Sequence, residues 1–524
     1  MHWADHTAQT LRKKGDDQVI ASGITPSGEF HIGHLREILT AEMIHRACLD
    51  AGMKSRYIFI VDSMDPLRRV YDFLGDSYNQ YIGHPLAYIP APGHDGEPGG
   101  TGMSYADFFL KPFLEALKHI GVEPEVVMNH ETYESGDFAE SIDSAINNMD
   151  QIYKIIETVS GRSLPSNWFP YNPRGSDGSM DEVIVTGYEF PLVSWIDRHG
   201  IEGSSDIRKG EGKMPWRIDW AAKWATHGIT CEPAGKDHGS AGGSFDTGIP
   251  ICKILGGNPP DKMVYEWIQL KGMGPMSSSK GVTIGPMDAL SLVPAEIMRF
   301  VIARSKVNRH IEFNTGEALF EIADEYERLV ADPPKAVEGG TRRMEVARET
   351  NLGAIRLSQI IRGSEPSDSI AGVSFRHLSM LAQIKSGDDD VWGSLKRTGH
   401  LDGEAGEVLR QRLDRMRNWI EGPHFPEESR IVVRDPSDKM GHSKLEEGQI
   451  AFIERLVDAL GGCEWDEKSI EGEIRGAASE SVVSLKECYS SLYESIIGKD
   501  KGPKIASIMA EIGRDDVLKL ISSN

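Results

Sequence analysis

No stretch of this chain approaches the ~20 consecutive apolar residues that a membrane-spanning helix needs, so an integral helical membrane protein is excluded. Cysteine is scarce: Cys48, Cys231, Cys252, Cys463 and Cys488 are scattered and nowhere spaced CxxC. That excludes a disulfide framework or a zinc ribbon and leads us to expect free thiols in a reducing cytoplasm. The first residues, MHWADHTAQTLRKKGDD, contain no apolar run of the kind a secretion signal requires. Positive charge is in deficit, with 57 Lys and Arg against 80 Asp and Glu and a net charge of -23. Nonspecific nucleic-acid binding depends on cations meeting phosphates, so only a local basic face could serve that purpose. What remains is 39% hydrophobic and 26% charged, the composition of a folded globular protein. At 524 residues the chain exceeds one ordinary core, and two to four domains are expected.

The most informative short stretch is SGEFHIGHLRE, residues 27–37. Before it, Val19-Ile20-Ala21-Ser22 suits a buried parallel strand, and GITPSG at 23–28 is a turn-rich loop. After His34, apolar residues recur at Leu35, Ile38, Leu39 and Met43, which is helical spacing, and Gly52 follows as a stop. Residues 57–62, YIFIVD, form a second strand-like run. This is a strand–turn–helix–strand unit, whose ligands gather at the carboxyl ends of the strands. His31 and His34 therefore fall where a helix N-terminus offers free N–H groups to phosphate, and Gly33 leaves room for a nucleotide ring. Alone, the pair could equally be polar residues at a helix start. A metal site lacks further ligands nearby.

A distant segment decides between these readings. Residues 271–281, KGMGPMSSSKG, combine glycines, three hydroxyls and Lys280, a set that suits phosphate. They follow a strand-like run, Val264–Leu270, and precede a helical pattern from Pro294 to Arg304. An early HIGH with a late Met-Ser-Ser-Ser loop resembles the two signatures of class I aminoacyl-tRNA synthetases. PWRIDWAAKWATHGITCEPAGKDHGSAGGSFDTG, residues 215–248, with SGITPSG at 22–28 and HWAD at 2–5, is similar to the class I lysyl-tRNA synthetases. The resemblance covers about residues 1–75 and 210–315, and more weakly GKDKGPKIASIMAEIG at 498–513.

It implies an α/β fold: a Rossmann-type parallel-sheet catalytic core with an insertion, followed by an all-α C-terminal region. The expected division is 1–75 and 211–315 for the two halves of the core, 76–210 for the insertion and 316–524 for a helical anticodon-binding domain. It further implies activation of L-lysine by ATP with Mg²⁺, transfer to tRNA(Lys), and a cytoplasmic enzyme acting as a monomer. Within the insertion, Phe109, Phe113, Leu117 and Ile120 share a helical face, while the absence of cysteine between Cys48 and Cys231 leaves no zinc ribbon and no metal site is expected. A glutamyl- or glutaminyl-type synthetase, or a non-catalytic tRNA-binding relative, are the alternatives. The first needs a cationic pocket, and the intact His31, His34 and Lys280 speak against the second.

The resemblance also distributes roles. His31, His34 and Lys280 are the expected catalytic residues, with Gly33, Asp237, Gly242, Met276, Ser277, Ser278 and Ser279 joining Lys280 around ATP. Pro275 and Ser278 stand where the general signature has lysines, so Lys280 carries more of the charge. Glu232-Pro233-Ala234 reads as a turn before Gly235-Lys236-Asp237-His238, with Asp237 on the ribose. Gly242 and Gly243 would let backbone approach adenine. Gly23, Thr25, Trp216, His238 and Tyr265 are expected beside lysine, the first two at its α-amino end and Trp216 and Tyr265 around its stem. Asp219, three residues after Trp216, is the expected partner of the ammonium. Asp62 and Asp65 read best as salt bridges to Arg68 and Arg69, and Lys499, Lys501 and Lys504 as a small basic cluster for RNA.

Overall fold

The computed structural model describes residues 1–270, 274–275, 284–366, 369–370, 372–423, 425–435 and 445–522. After helix α1 (Trp3–Arg12), the chain alternates strand and helix: β1 (Asp17–Ile24), α2 (Ile32–Asp50), β2 (Lys54–Val61), α3 (Tyr105–His119) and β3 (Glu125–Met128). It later resumes with α4 (Trp216–His227), β4 (Cys231–Gly235), α5 (Ser244–Ile254) and β5 (Asp261–Tyr265). The five strands form one sheet in the order β5-β4-β1-β2-β3, every pair parallel. Such a sheet is covered on both faces, which is why its inner strands are runs of buried residues: Ile58, Phe59, Ile60 and Val61 in β2 are at most 2% exposed.

Strand order reverses between β1 and β4. The β1–β2 ladder runs from Asp17–Lys54 to Ile24–Val61, whereas β1 meets β4 only at Ile20–Cys231. Beyond that pair the two strands part, and the gap opens at their carboxyl ends, the place where open α/β sheets bind ligands. The parting also corrects the reading of Glu232-Pro233-Ala234 as a turn. These residues continue β4, paired with β5 through Met263–Pro233, and no β1 partner is left waiting for the N–H that Pro233 lacks.

The run Val264–Leu270 is likewise two strands rather than one. Tyr265 ends β5, and Ile268–Leu270 pairs instead with Ile311–Phe313 and Gly274–Pro275 in a separate small sheet. At the break, the Glu266 N–H is taken by the Val307 carbonyl. The insertion carries α3, further helices at Asn129–Glu134, Ala139–Asn147 and Met149–Ser160, and an antiparallel sheet of Ile184–Glu189, Leu192–Ile196 and Glu202–Asp206. Phe109, Phe113, Leu117 and Ile120 are all buried, as their spacing requires.

The chain forms two compact units. The first comprises residues 1–290, 294–313 and 334–366, and the second residues 291–293, 314–333 and 367–524. Segment 334–366 is held in the first unit by buried charge: Arg299 donates to the carbonyl of Leu357 (2.8 Å) and to Glu42 on α2 (2.7 Å). Arg46 reaches the Gln359 carbonyl (2.6 Å). Within this segment a helix begins at Arg342 and runs to Ser358.

The second unit is helical throughout its described elements. Ile453, Leu456 and Leu460 are buried in Glu447–Leu460, as are Cys488, Leu492 and Ile496 in Leu485–Ile497, whereas Leu485, in the first turn, is 55% exposed. The basic cluster read at Lys499, Lys501 and Lys504 is largely spent within the unit. Lys499 donates to the carbonyls of Glu427 and Arg430, and Lys504 pairs with Glu467.

Candidate active site

A cavity of about 610 Å³ fills the gap where β1 and β4 part, a volume ordinary for a small-molecule site. Gly23 and Thr25 at the end of β1, Asp62 after β2, Glu232 on β4 and His34 on α2 are among its walls.

The two histidines of HIGH close the N-terminus of α2 on each other. The His31 ring accepts a hydrogen bond at Nδ1 from the Gly33 N–H (3.0 Å), and the His34 ring accepts at Nδ1 from the His31 N–H (3.0 Å). With Nδ1 an acceptor in both rings, each neutral imidazole must carry its proton on Nε2. Burial pushes both pKa values down, to about 4 for His31 and about 3 for His34, so near pH 7 the rings are neutral donors and not charges. They sit 4.0 Å apart by ring centroid, and Phe30, stacked on Phe113, lies against His34. The Ile32 N–H donates to the Ile284 carbonyl (3.0 Å), which joins this helix start to the chain just after the serine-rich segment. Met276, Ser277, Ser278, Ser279 and Lys280 lie outside the described residues.

Asp219 does not suit the role expected of it. Only 1% exposed, it is held by Lys223 (2.8 Å) and Lys213 (3.1 Å) and accepts from the Tyr133 hydroxyl. Burial alone would raise its pKa, and the two ammonium groups more than reverse that, holding the carboxyl well below the usual range. Lys213 also reaches Asp65 (3.2 Å) and Lys223 reaches Asp62, so these two aspartates pair with buried lysines and not with Arg68 and Arg69. Thr25 donates its hydroxyl to Asp65 (2.7 Å). An ammonium arriving at Asp219 would compete with two already there.

Two other carboxylates on the cavity wall have no ion-pair partner among the described residues, although the Lys223 ammonium lies near enough to draw Glu232 down. Glu37 accepts from the Gly23 N–H (3.0 Å) and the Tyr265 hydroxyl (3.2 Å); Glu232 accepts from the indole N–H groups of Trp220 (2.9 Å) and Trp224 (2.5 Å). Among the described residues neither makes an ion pair. Burial pushes Glu37 up to about 8, with the nearby Glu232 adding to the rise, and burial pushes Glu232 up to about 7. Tyr265 thus stands behind Glu37, 5% exposed, and does not wall the cavity as expected. Trp216 does, 36% exposed and edge-on to His238 at 5.8 Å, with Trp220 edge-on to the same ring at 5.6 Å.

His238 is fixed by Ser244 (3.2 Å) and Asp237 (3.3 Å), so the expected nucleotide and amino-acid residues of this loop touch each other. Gly242 has φ +75°, and its N–H donates to Asp246, so a turn explains the glycine. Motif reading passed over Glu37, Glu232, Lys213 and Lys223. One signal was available: Glu37 lies three residues after His34, on the same helical face.

A parallel sheet with a ligand cavity at its switch point, entered by a helix capped with HIGH, is the catalytic core of class I aminoacyl-tRNA synthetases. The chain belongs to the family described as tRNA synthetases class I (K), whose model matches residues 1–352. An anticodon binding domain matches residues 404–523. The chain is similar to a lysine–tRNA ligase of Picrophilus torridus, 34% identical with 100% of this chain and 99% of that one covered. It is also similar to lysine–tRNA ligase 1 of Methanosarcina acetivorans, 36% identical over 96% and 95% of the two chains. A solved glutamate tRNA ligase from Elizabethkingia meningosepticum CCUG26117 aligns over 96% of this chain and 98% of its own, with 14% identity and a TM-score of 0.36.

Proposed function

We infer that this chain is a lysine–tRNA ligase, which joins lysine to AMP from ATP and then passes it to the 3′ end of tRNA(Lys). The observation that carries the choice of amino acid is the pair Glu37 and Glu232: buried carboxylates without an ion-pair partner among the described residues, which a lysine ammonium would complete. A glutamate side chain would instead set a third carboxylate against these two. Tyr265 and the Gly23 N–H orient Glu37, while Trp216 and His238 flank the apolar stem. The α-ammonium meets Asp62, the most exposed carboxylate of the lysine-paired group, near Thr25.

In the first step the lysine carboxylate attacks the α-phosphorus of ATP and pyrophosphate leaves. The protein supplies no nucleophile, and its contribution is placement and charge stabilisation. His31 and His34 donate from Nε2 to phosphate oxygens at the α2 N-terminus, while Ser277, Ser278, Ser279 and Lys280 hold the departing phosphates beside Met276. Gly33 and Asp237 face the nucleoside, and Gly242 shapes the loop beneath it. Mg²⁺ would enter on the ATP phosphates and would neutralise their charge. In the second step a ribose hydroxyl of the tRNA attacks the adenylate carbonyl and AMP leaves.

We place the enzyme in the cytoplasm, acting as a monomer; its five cysteines are free, as a reducing compartment would keep them. The division into a core of 1–75 and 211–315, an insertion of 76–210 and an anticodon-binding region of 316–524 is proposed with the proviso that 334–366 packs with the core unit. ATP–pyrophosphate exchange with each standard amino acid tests the reading: lysine should support it, and His34→Ala should lower the rate about 10- to 1000-fold. Exchange driven by glutamate and not lysine overturns it.

A further inference from the structure

In a chain with 23 more negative than positive charges, two arginines of the cavity wall and a third over the wall's Trp216 have no acidic partner among the described residues. Arg68, beyond the end of β2, and Arg162, just past the helix Met149–Ser160, both belong to the cavity wall. Arg217, in the first turn of α4, lies over the exposed Trp216 ring at 4.1 Å. Among the described residues none of the three makes an ion pair or a side-chain hydrogen bond, and the Arg217 Nε is buried without a partner. Arg162 and Arg217 come from different segments yet approach closely enough for one guanidinium to repel the other. Two like charges held together, with carboxylates plentiful elsewhere in the chain, leave a place for an anion.

We propose that Arg162 and Arg217 bind the phosphodiester backbone at the 3′ end of the tRNA, with Arg68 completing a cationic rim. The inference rests on the lysyl reading of the cavity for its geometry. The ribose that attacks the adenylate must come within bonding distance of the lysine carboxyl carbon, so the phosphate of that nucleotide lies within about one backbone repeat of it. Arg68, Arg162 and Trp216 belong to the wall of that same cavity, so a phosphate bound by them lies within such reach. Guanidinium groups match phosphate oxygens in two-pronged fashion, and an exposed tryptophan bearing an arginine is a platform on which a single-stranded base can stack. The rim gives an acidic protein a local cationic entrance where its RNA substrate must thread in.

The test uses the full-length protein and a tRNA(Lys) transcript, either intact or shortened at its 3′ end. Arg162→Gln with Arg217→Gln should weaken binding of the intact transcript about tenfold and lower the slope of log affinity against log salt by about 1.4, at ~0.7 per single-strand phosphate. The shortened transcript should bind wild type and variant alike. Arg162→Lys with Arg217→Lys, which keeps the charge, should recover most of the loss. In pyrophosphate exchange without tRNA, the KM values for lysine and ATP should stay within about twofold of wild type. Unchanged affinity and slope for the intact transcript would overturn the proposal. So would a raised lysine KM in exchange, which assigns the arginines to the amino-acid carboxylate. Activation of another amino acid, with the tRNA effects intact, overturns the lysine seat and leaves the rim standing.

Discussion

Asp62, Asp65 and Asp219 share a cavity with Glu37 and Glu232, yet the first three are ion-paired with Lys213 and Lys223 and the last two make no ion pair among the described residues, Lys223 acting on Glu232 only from a distance. Both groups are removed from water, where an unpaired charge is costly. The aspartates meet that cost inside the chain: three carboxylates and two ammoniums, with Tyr133 and Thr25 donating to the remaining oxygens. The glutamates meet it by holding their protons, and burial raises both of them. A cluster compensated largely by its own two lysines maintains the shape of the wall, with burial raising Asp62. A cluster left without its counter-ion selects what may fill the cavity, and a primary ammonium is the complement it lacks.

The contrast is broken most severely from the lysine-paired side. Lys223→Met should destabilise the protein by about 3–5 kcal/mol, because Asp62 and Asp219 lose a partner they cannot replace. Thermal unfolding measures it, and an unchanged midpoint would mean that the aspartates are not held as described. On the other side, Glu37→Gln keeps the shape and removes only the ability to ionise against an arriving ammonium. It should leave the unfolding midpoint nearly unmoved while raising the lysine KM about 100-fold, at the upper range for a charged hydrogen bond, with the ATP KM unaltered. A large fall in stability together with a normal lysine KM would reverse the two roles.

The pH profile sharpens the same division. Glu37 and Glu232 accept an ammonium only when ionised, and their raised values of about 8 and about 7 put that ionisation near neutrality. Since kcat/KM reports the free enzyme, the value for lysine should climb about tenfold from pH 7 to pH 9 as the pair loses its protons. His31 and His34, at about 4 and about 3, titrate too low to cause this rise. A flat profile over that interval would remove the glutamates from lysine binding. The smallest effect belongs to the aromatic wall: Trp216→Ala should raise the lysine KM roughly fivefold, the scale of one partly exposed cation–aromatic contact. If the ATP KM rises instead, the ring serves the nucleotide.

Much of this architecture is legible in the order of residues, because it depends on local pattern. The apolar run before GITPSG, the helical spacing after His34 and the stop at Gly52, which adopts φ +80°, are satisfied by residues adjacent in the chain. So is the buried stripe of α3. Glu37 carries a faint local mark, one helical turn beyond His34. Pro233 misleads for the opposite reason: proline signals a turn until one knows that β1 has already left its side.

What spacing by itself determines here is the strand–turn–helix–strand unit and the placing of HIGH at a helix start, while the wider fold class came from the resemblance those motifs carry. Tertiary structure alone decides which acids are ion-paired. Asp219 and Glu232 are separated by only 13 positions (232 − 219) and look alike in sequence, but Asp219 meets Lys213 and Lys223 whereas Glu232 meets two indoles. Partners drawn from distant segments set the charge state of each carboxylate, since the energy of a buried charge depends on distances across the fold and not on neighbours along the chain.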